Sequence, residues 1–263
     1  MSIAFTNPQE LFDIKGKIAL ITGSGSGIGQ ALAQGLGAAG AHIVLNGRNE
    51  AKLEAAASYL KEADIQHSIE VFDISDPKAV AIAIENIETQ IGPIDILINN
   101  AGTNRRGQMH EISTEDYHTV FRANVDGLFL VTREVSARMK TRQQGKIINI
   151  CSVLSKLGRK GAVAYAGSKG AAALMTASMC DELAPHGIQV NGISPGYFLT
   201  EITEVIAQDT AHNEWLINRT PAGRWGQVED LVGAALFLSS DASKFVNGHL
   251  LAVDGGLTAV VGG

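Results

Sequence analysis

At 263 residues, 45% hydrophobic and 18% charged, the chain has the apolar material for a large core and the length of one α/β domain. A formal net charge of -6, with no block of like charges, argues against nucleic acid as a partner. Two cysteines without metal-type spacing fit a reducing compartment, and no run of 18 apolar residues exists to span a membrane.

The opening, MSIAFTNPQELFDIKGK, has neither a basic start nor a long apolar centre, so a cytoplasmic protein is expected. From Lys17 onward, short apolar runs alternate with segments of helical period, which is how βαβ units and a parallel sheet read. The first strand, KIALIT, runs straight into ITGSGSGIGQ, whose Thr22, Gly23, Gly27 and Gly29 fit T-G-x-x-x-G-x-G. Such a turn lets backbone amides and a helix N-terminus approach a pyrophosphate, although a plain strand-to-helix turn reads the same way. The second strand, AHIVLN, ends in Asn46, Gly47 and Arg48. The carboxylate that would hold the ribose 2′-hydroxyl of NAD is missing there. Arg48 either pairs with the 2′-phosphate of NADP or faces solvent at the start of the helix AKLEAAASYLKEA.

The third strand, SIEVFD, puts Asp73 at the sheet rim, to bond an adenine amino group or to cap the next turn. The helix PKAVAIAIENIETQIG and the strand DILIN lead to NNAG, where Gly102 allows the backbone close to a cofactor. Arg105 and Arg106 follow, as a fork for a substrate carboxylate or as a solvated surface pair. Asn124 lies inside YHTVFRANVDGLFLVTREV, a helix by period in which asparagine is unfavourable. It serves either a proton relay toward Lys169 or the fixing of a kink.

The fifth strand, KIINIC, ends at Ser152, and Tyr165 and Lys169 come next in YAGSK. Residues four apart on a helix share a face, so an ammonium stands near a phenol and favours its ionised form. A tyrosine so placed exchanges a proton with a substrate hydroxyl, and Ser152 can hydrogen-bond the same oxygen. The strand IQVNGIS precedes the least regular stretch, 197–227, which is either a lid over a ligand or a connecting pair of surface helices. LLAVDG is the seventh strand candidate. No linker or repeat divides residues 1–263, so a single domain is expected, and the seven histidines show no ligand spacing, so no catalytic metal is.

Taken together, the glycine pattern, NNAG, Asn124, Ser152, Tyr165 with Lys169, and SPG at Ser194 to Gly196 resemble the short-chain dehydrogenase/reductase family, from about Lys17 to Gly256. The resemblance implies a Rossmann-type doubly wound sheet of seven parallel strands flanked by helices. It implies a catalytic tetrad of Asn124, Ser152, Tyr165 and Lys169. It also implies a dinucleotide site built from Gly23, Ser24, Ser26, Gly27, Ile28, Gly29, Arg48, Asp73, Ile74, Asn100, Ala101, Gly102, Tyr165, Lys169, Pro195, Gly196, Phe198 and Thr200. Ser26 stands where many members carry a basic residue, so Arg48 has to carry most of the preference for NADP, with NAD at lower affinity. VLNGRN, PGYF, RTPAGRWGQVEDLVGAALFLSSDAS and FVNGHLLAVDGG are similar to stretches of the family's sugar-acid dehydrogenases. That likeness implies interconversion of a sugar-acid hydroxyl and ketone, with Arg105, Ser152 and Tyr165 at the substrate. A reductase of 3-oxoacyl thioesters carried by an acidic protein, or another sugar or polyol dehydrogenase, is the alternative. A homotetramer built through residues 114–142 and 163–186 is the implied assembly.

Overall fold

The computed structural model describes residues 7–200, 203 and 209–261, apart from the side chains of residues 211 and 212. Seven strands form one parallel sheet: β1 Ile18–Ile21, β2 His42–Gly47, β3 His67–Val71, β4 Ile94–Asn99, β5 Gly145–Ile150, β6 Ile188–Pro195 and β7 Leu250–Val253. Their order is β3-β2-β1-β4-β5-β6-β7. Every strand expected from the apolar runs is present, with ends shifted by a residue or two. The register sets Leu20 beside Val44 on one side and Leu97 on the other. Chain order reverses between β1 and β4, and that reversal opens a crevice beyond the carboxyl ends of the strands.

Burial on both faces explains why the inner strands, β1 and β4 above all, are near-continuous apolar runs. Successive side chains point to opposite faces, so Ala19 and Ile21 join one core while Ile18 and Leu20 join the other. The first core also holds Leu32 and Leu36 of α1 (Gly27–Ala38), Leu53 and Leu60 of α2 (Glu50–Glu62), and Leu238 of a C-terminal helix, Val232–Ser239. The second holds Val80 and Ile84 of α3 (Pro77–Asn86), and Val131, Val135 and Met139 of a long helix, Gly127–Arg142.

Caps explain where several helices begin. The Asn49 side chain accepts from Lys52 N–H at 3.0 Å, and Asp76 caps α3 ahead of Pro77. Ser113 accepts from Asp116 N–H at 3.0 Å and starts α4 (Thr114–Phe121). The segment expected as one helix around Asn124 is in fact α4, a π-helical turn at Arg122–Asp126, and α5 (Gly127–Arg142). The wider turn lets the buried Asn124 amide reach partners outside its own helix, as such bulges often do at functional sites. After α6 (Val163–Leu183), the segment 197–227 contains α7 (Thr210–Arg219), and α8 (Val232–Ser239) completes the set. Leu199 N–H donates to Gly226 C=O at 3.0 Å, bringing the two ends of that segment together. The middle of the expected lid, 201, 202 and 204–208, lies outside the described residues.

A polar chain crosses the apolar layer beneath the sheet's centre. The Asn99 amide donates to Thr132 Oγ1 at 2.8 Å and to Asn149 Oδ1 at 2.9 Å. The Asn149 amide in turn donates to Thr176 Oγ1 at 2.9 Å. These four buried residues tie α5, β4, β5 and α6 into one unit. Because removing a partner strands buried polar groups, Asn149→Ala is expected to lower the free energy of unfolding by about 2–4 kcal/mol. Urea midpoints of the two proteins check this, and a loss below about 0.5 kcal/mol, the range of surface substitutions, would refute it.

Candidate active site

The turn between β1 and α1 is shaped by close approach. A Cβ on Gly29 would stand 2.4 Å from the carbonyl oxygen of Gly23, and one on Gly23, whose φ is +65°, would stand 2.8 Å from Ala101 Cα. Neither position tolerates a side chain. Thr22 and Asn100 then fasten this turn to the end of β4. Thr22 Oγ1 accepts from the N–H groups of Asn100 and Ala101 at 3.0 and 3.1 Å. The Asn100 side chain donates to the carbonyls of Thr22 and Gly23, each at 3.0 Å. Ser24 Oγ accepts from Asn46 N–H at 3.0 Å, which adds the end of β2.

Helix α1 begins at Ser26 without a side-chain cap. Its first N–H groups therefore meet the crevice with no side chain to satisfy them, an arrangement that suits an anion. A cavity of about 710 Å³ runs from this turn across the strand ends. Gly23, Ser26, Gly27, Ile28, Arg48, Asp73 and Ile74 line one end. Asn100, Ala101 and Gly102 line the middle, and Ser152, Tyr165, Lys169, Pro195, Gly196, Phe198 and Thr200 lie beyond. Thr200 N–H donates to Thr203 Oγ1 at 2.9 Å, which orders the turn after β6.

Three of the residues expected at the site sit behind this lining. Ser24 and Gly29 are buried in the turn itself, and Asn124 backs the loop after β4. Asn124 Oδ1 accepts from Thr103 N–H at 2.8 Å, and its amide donates to Thr103 C=O at 3.0 Å and to Ser168 Oγ at 2.9 Å. Ser168 lies beside Lys169, so Asn124 couples the loop after β4 to the helix that carries Tyr165 and Lys169.

At the centre, the Lys169 ammonium is buried and donates to Ile150 C=O at 2.6 Å, on the last residue of β5. It lies 5.8 Å from the centre of the Tyr165 ring. Ser152 follows two residues after Ile150. Its Oγ accepts from Leu154 N–H at 3.1 Å, and its own O–H has no acceptor among the described residues. Ser155 Oγ donates to Lys169 C=O at 2.9 Å and accepts from Ser152 N–H at 3.3 Å, which holds the serine turn against α6.

Toward the β2 end, Arg48 is largely exposed and stands 3.6 Å from the Asp73 carboxylate. Asp73 also accepts from Ser75 N–H at 2.9 Å and Ser75 Oγ at 2.7 Å, the turn-capping role its position allowed. Burial opposes its ionisation, but the Ser75 bonds and the Arg48 charge outweigh it and hold the carboxyl below its usual range. Arg105 and Arg106, which share the cavity's other end, have different surroundings. Arg105 lies 3.5 Å from the Asp116 carboxylate, whereas Arg106 has no acidic partner among the described residues. Sequence reasoning missed Asn104, Arg122, Arg159 and Tyr197, all of which line the same space. For Arg159 the stretch SKLGRKGAV between Ser152 and Tyr165 carried three cations and nothing to single out this one. No group of three or more metal-ligating side chains occurs among the described residues, and no helix there is long and apolar enough to cross a membrane.

Comparison with known proteins agrees with this geometry. Residues 17–211 match the family model for short chain dehydrogenase. The chain is 49% identical over 249 residues to gluconate 5-dehydrogenase of Gluconobacter oxydans (strain 621H), covering 95% of this chain and 97% of that protein. It is 48% identical over 253 residues to 5-keto-D-gluconate 5-reductase of Escherichia coli (strain K12), covering 96% of this chain and all of that one. The crystal structure of a gluconate 5-dehydrogenase from Burkholderia cenocepacia J2315, in complex with NADP and tartrate, superposes with a TM-score of 0.94. Identity to it is 48%, with 97% of this chain and 100% of that chain covered. With its doubly wound sheet, its glycine turn and Tyr165 four residues before Lys169, this chain belongs to the short-chain dehydrogenase family.

Proposed function

We propose that this chain is an NADP-dependent dehydrogenase that interconverts the C5 hydroxyl of D-gluconate and the ketone of 5-keto-D-gluconate. The observation that carries the reading is one continuous cavity with an anion-accepting helix start and Arg48 at one end, and Ser152, Tyr165, Lys169 and Arg106 at the other. The names of the two bacterial relatives and the NADP complex of the structural relative support it.

The glycine turn and the uncapped start of α1 fit a pyrophosphate, and Arg48 fits the extra phosphate that separates NADP from NAD. NAD would bind less tightly, having nothing to offer the guanidinium. Asp73 and Ile74 flank the adenine end, and Gly102, Pro195, Gly196, Phe198 and Thr200 shape the nicotinamide end. NADP, when bound, supplies the hydride-carrying carbon.

Oxidation of a secondary alcohol removes a hydride from carbon and a proton from oxygen, and the chain's own residues manage the proton. Tyr165 takes it from the substrate hydroxyl, or returns it when a ketone is reduced. The Lys169 ammonium stands beside that phenol, and the free O–H of Ser152 donates to the substrate oxygen as charge develops on it. Asn124 is a positioning residue, holding α6 and the loop after β4 in one geometry. Of the two adjacent arginines, Arg106 suits the substrate carboxylate better, since Arg105 already faces Asp116. A cytoplasmic homotetramer fits the apolar side chains that α4 to α6 leave exposed, among them Tyr117, Phe129, Val163 and Leu174.

Purified protein is expected to reduce NADP with D-gluconate and to oxidise NADPH with 5-keto-D-gluconate, followed at the absorbance of the reduced nicotinamide. Tyr165→Phe should lower kcat by about 10²- to 10⁴-fold while NADP affinity stays close to that of the wild type. Retained turnover would disprove the acid/base assignment. Arg48→Ala should weaken NADP binding by about 10- to 100-fold and NAD binding far less. Equal losses for both dinucleotides, measured by fluorescence titration, would show that Arg48 does not read the extra phosphate.

A further inference from the structure

Tyr197, in the turn after β6, stands between two cavities. It lines the large one together with Arg106 and Arg159, and it lines a smaller one of about 200 Å³ with Phe198, Thr220, Arg224 and Asp254. The Tyr197 hydroxyl accepts from Arg159 Nη1 at 3.0 Å, and of the two cavities Arg159 borders the large one, so the polar tip of the ring lies on the side of Tyr165 and Lys169. The ring is held from three directions. Trp225 meets it edge-on with 6.1 Å between ring centres, and the Trp225 indole N–H donates to Asn213 Oδ1 of α7 at 2.7 Å. Gly226 N–H donates to Tyr197 C=O at 2.9 Å, and the Arg159 guanidinium carbon lies 5.3 Å from the ring centre. Behind Arg159, Gly107 N–H donates to Gly161 C=O at 3.2 Å, which stitches the loop carrying Arg106 to the loop carrying Arg159.

A phenol that accepts one hydrogen bond still has its own proton to give, and the Tyr197 O–H has no acceptor among the described residues. Resting on the reading above, we infer that Tyr197 is a specificity-determining residue whose O–H donates to the carboxylate of the sugar acid, beside Arg106. Its oxygen already accepts from a cation, and successive hydrogen bonds polarise one another, so the phenol is a stronger donor than a free tyrosine. In this arrangement Arg159 is a positioning residue that acts on the substrate through the phenol.

The chemistry of the phenol selects the carboxylate over the sugar hydroxyls. With its oxygen engaged by Arg159, Tyr197 meets the cavity as a donor, and a carboxylate is an acceptor with no proton of its own to place. A sugar hydroxyl in the same position would still need an acceptor for its proton. Arg106 lies near enough to Tyr197 to sense it. Burial is the main influence that lowers the Arg106 guanidinium below its usual range, the Arg159 charge adds to it, and Tyr197 acts in the opposite sense. One carboxylate has two oxygens and about four lone-pair sites, enough to accept from the Arg106 guanidinium and from the phenol at once.

Tyr197→Phe removes the phenol oxygen and keeps the ring against Trp225, so it separates the donor from the packing. In the full-length protein it should raise KM for D-gluconate by about 10- to 100-fold with a much smaller change in kcat. Binding of tartrate, a small dicarboxylate, to the NADP-loaded protein should weaken by a similar factor in calorimetry, while NADP affinity and Tm stay at wild-type values. Trp225→Phe loosens the brace but spares the hydroxyl, and it should fall between wild type and Tyr197→Phe. An unchanged KM for gluconate together with unchanged tartrate affinity in Tyr197→Phe overturns the inference. A loss of NADP affinity as large as the loss of tartrate affinity also overturns it, because that pattern marks a disturbed cavity. If Tyr197→Phe does not fold, wild-type values for KM and tartrate affinity in Trp225→Phe overturn it equally. Should the wild type fail to oxidise gluconate while Tyr197→Phe still weakens tartrate, the phenol donor stands and the substrate reading falls. A wild type that neither oxidises gluconate nor binds tartrate removes both.

Discussion

The fastening of β1 to β4 underlies everything else at the site. These two strands are neighbours in the sheet but are separated in the chain by β2 and β3, and the crevice exists only because their ends stay in register. Thr22 and Asn100 hold them there, exchanging two hydrogen bonds with each other and adding one from Ala101 N–H to Thr22 and one from Asn100 to Gly23 C=O. The missing side chains at Gly23 and Gly29 let the backbones come that close. If the junction were loosened, the unsatisfied amides of α1 would no longer face the same space as Tyr165 and Lys169.

A second layer of polar contacts fixes the walls of that crevice relative to one another. Asn124 and Ser155 each bond to two separate elements, and α6 receives a bond from both. Below them, the ladder from Thr132 through Asn99 and Asn149 to Thr176 crosses an otherwise apolar layer. Buried polar groups of this kind are tolerable only when they are partnered, and partnered ones define a single arrangement where oily packing would allow several. Lys169 belongs to the same logic, since its ammonium is taken out of solvent and given the carbonyl of Ile150 in return.

Much of this was legible in the sequence, and what was not has a common cause. Strands buried on both faces announce themselves as apolar runs, and a glycine turn followed by a helical period announces a ligand-facing junction, so all seven strands and the Gly23–Gly29 turn could be read directly. Tyr165 and Lys169 were readable because their spacing is local. The break at Arg122–Asp126 was not, because it depends on Thr103 and Ser168, which lie 21 and 44 residues from Asn124. The different situations of Arg105 and Arg106 were equally hidden, since Asp116 reaches Arg105 only once α4 has been capped and oriented. Arg159 gained its setting from a stitch between loops more than fifty residues apart, which no local pattern encodes.

The backbone bond between Gly107 and Gly161 has a wider implication for how such a protein can diversify. It joins two surface loops to each other without involving any strand of the sheet, so positions at their tips can change while the sheet beneath keeps its register. New preferences can then arise by rewriting a handful of loop positions over an unchanged redox chassis, the kind of modularity that lets one ancestral scaffold spread across many metabolic niches.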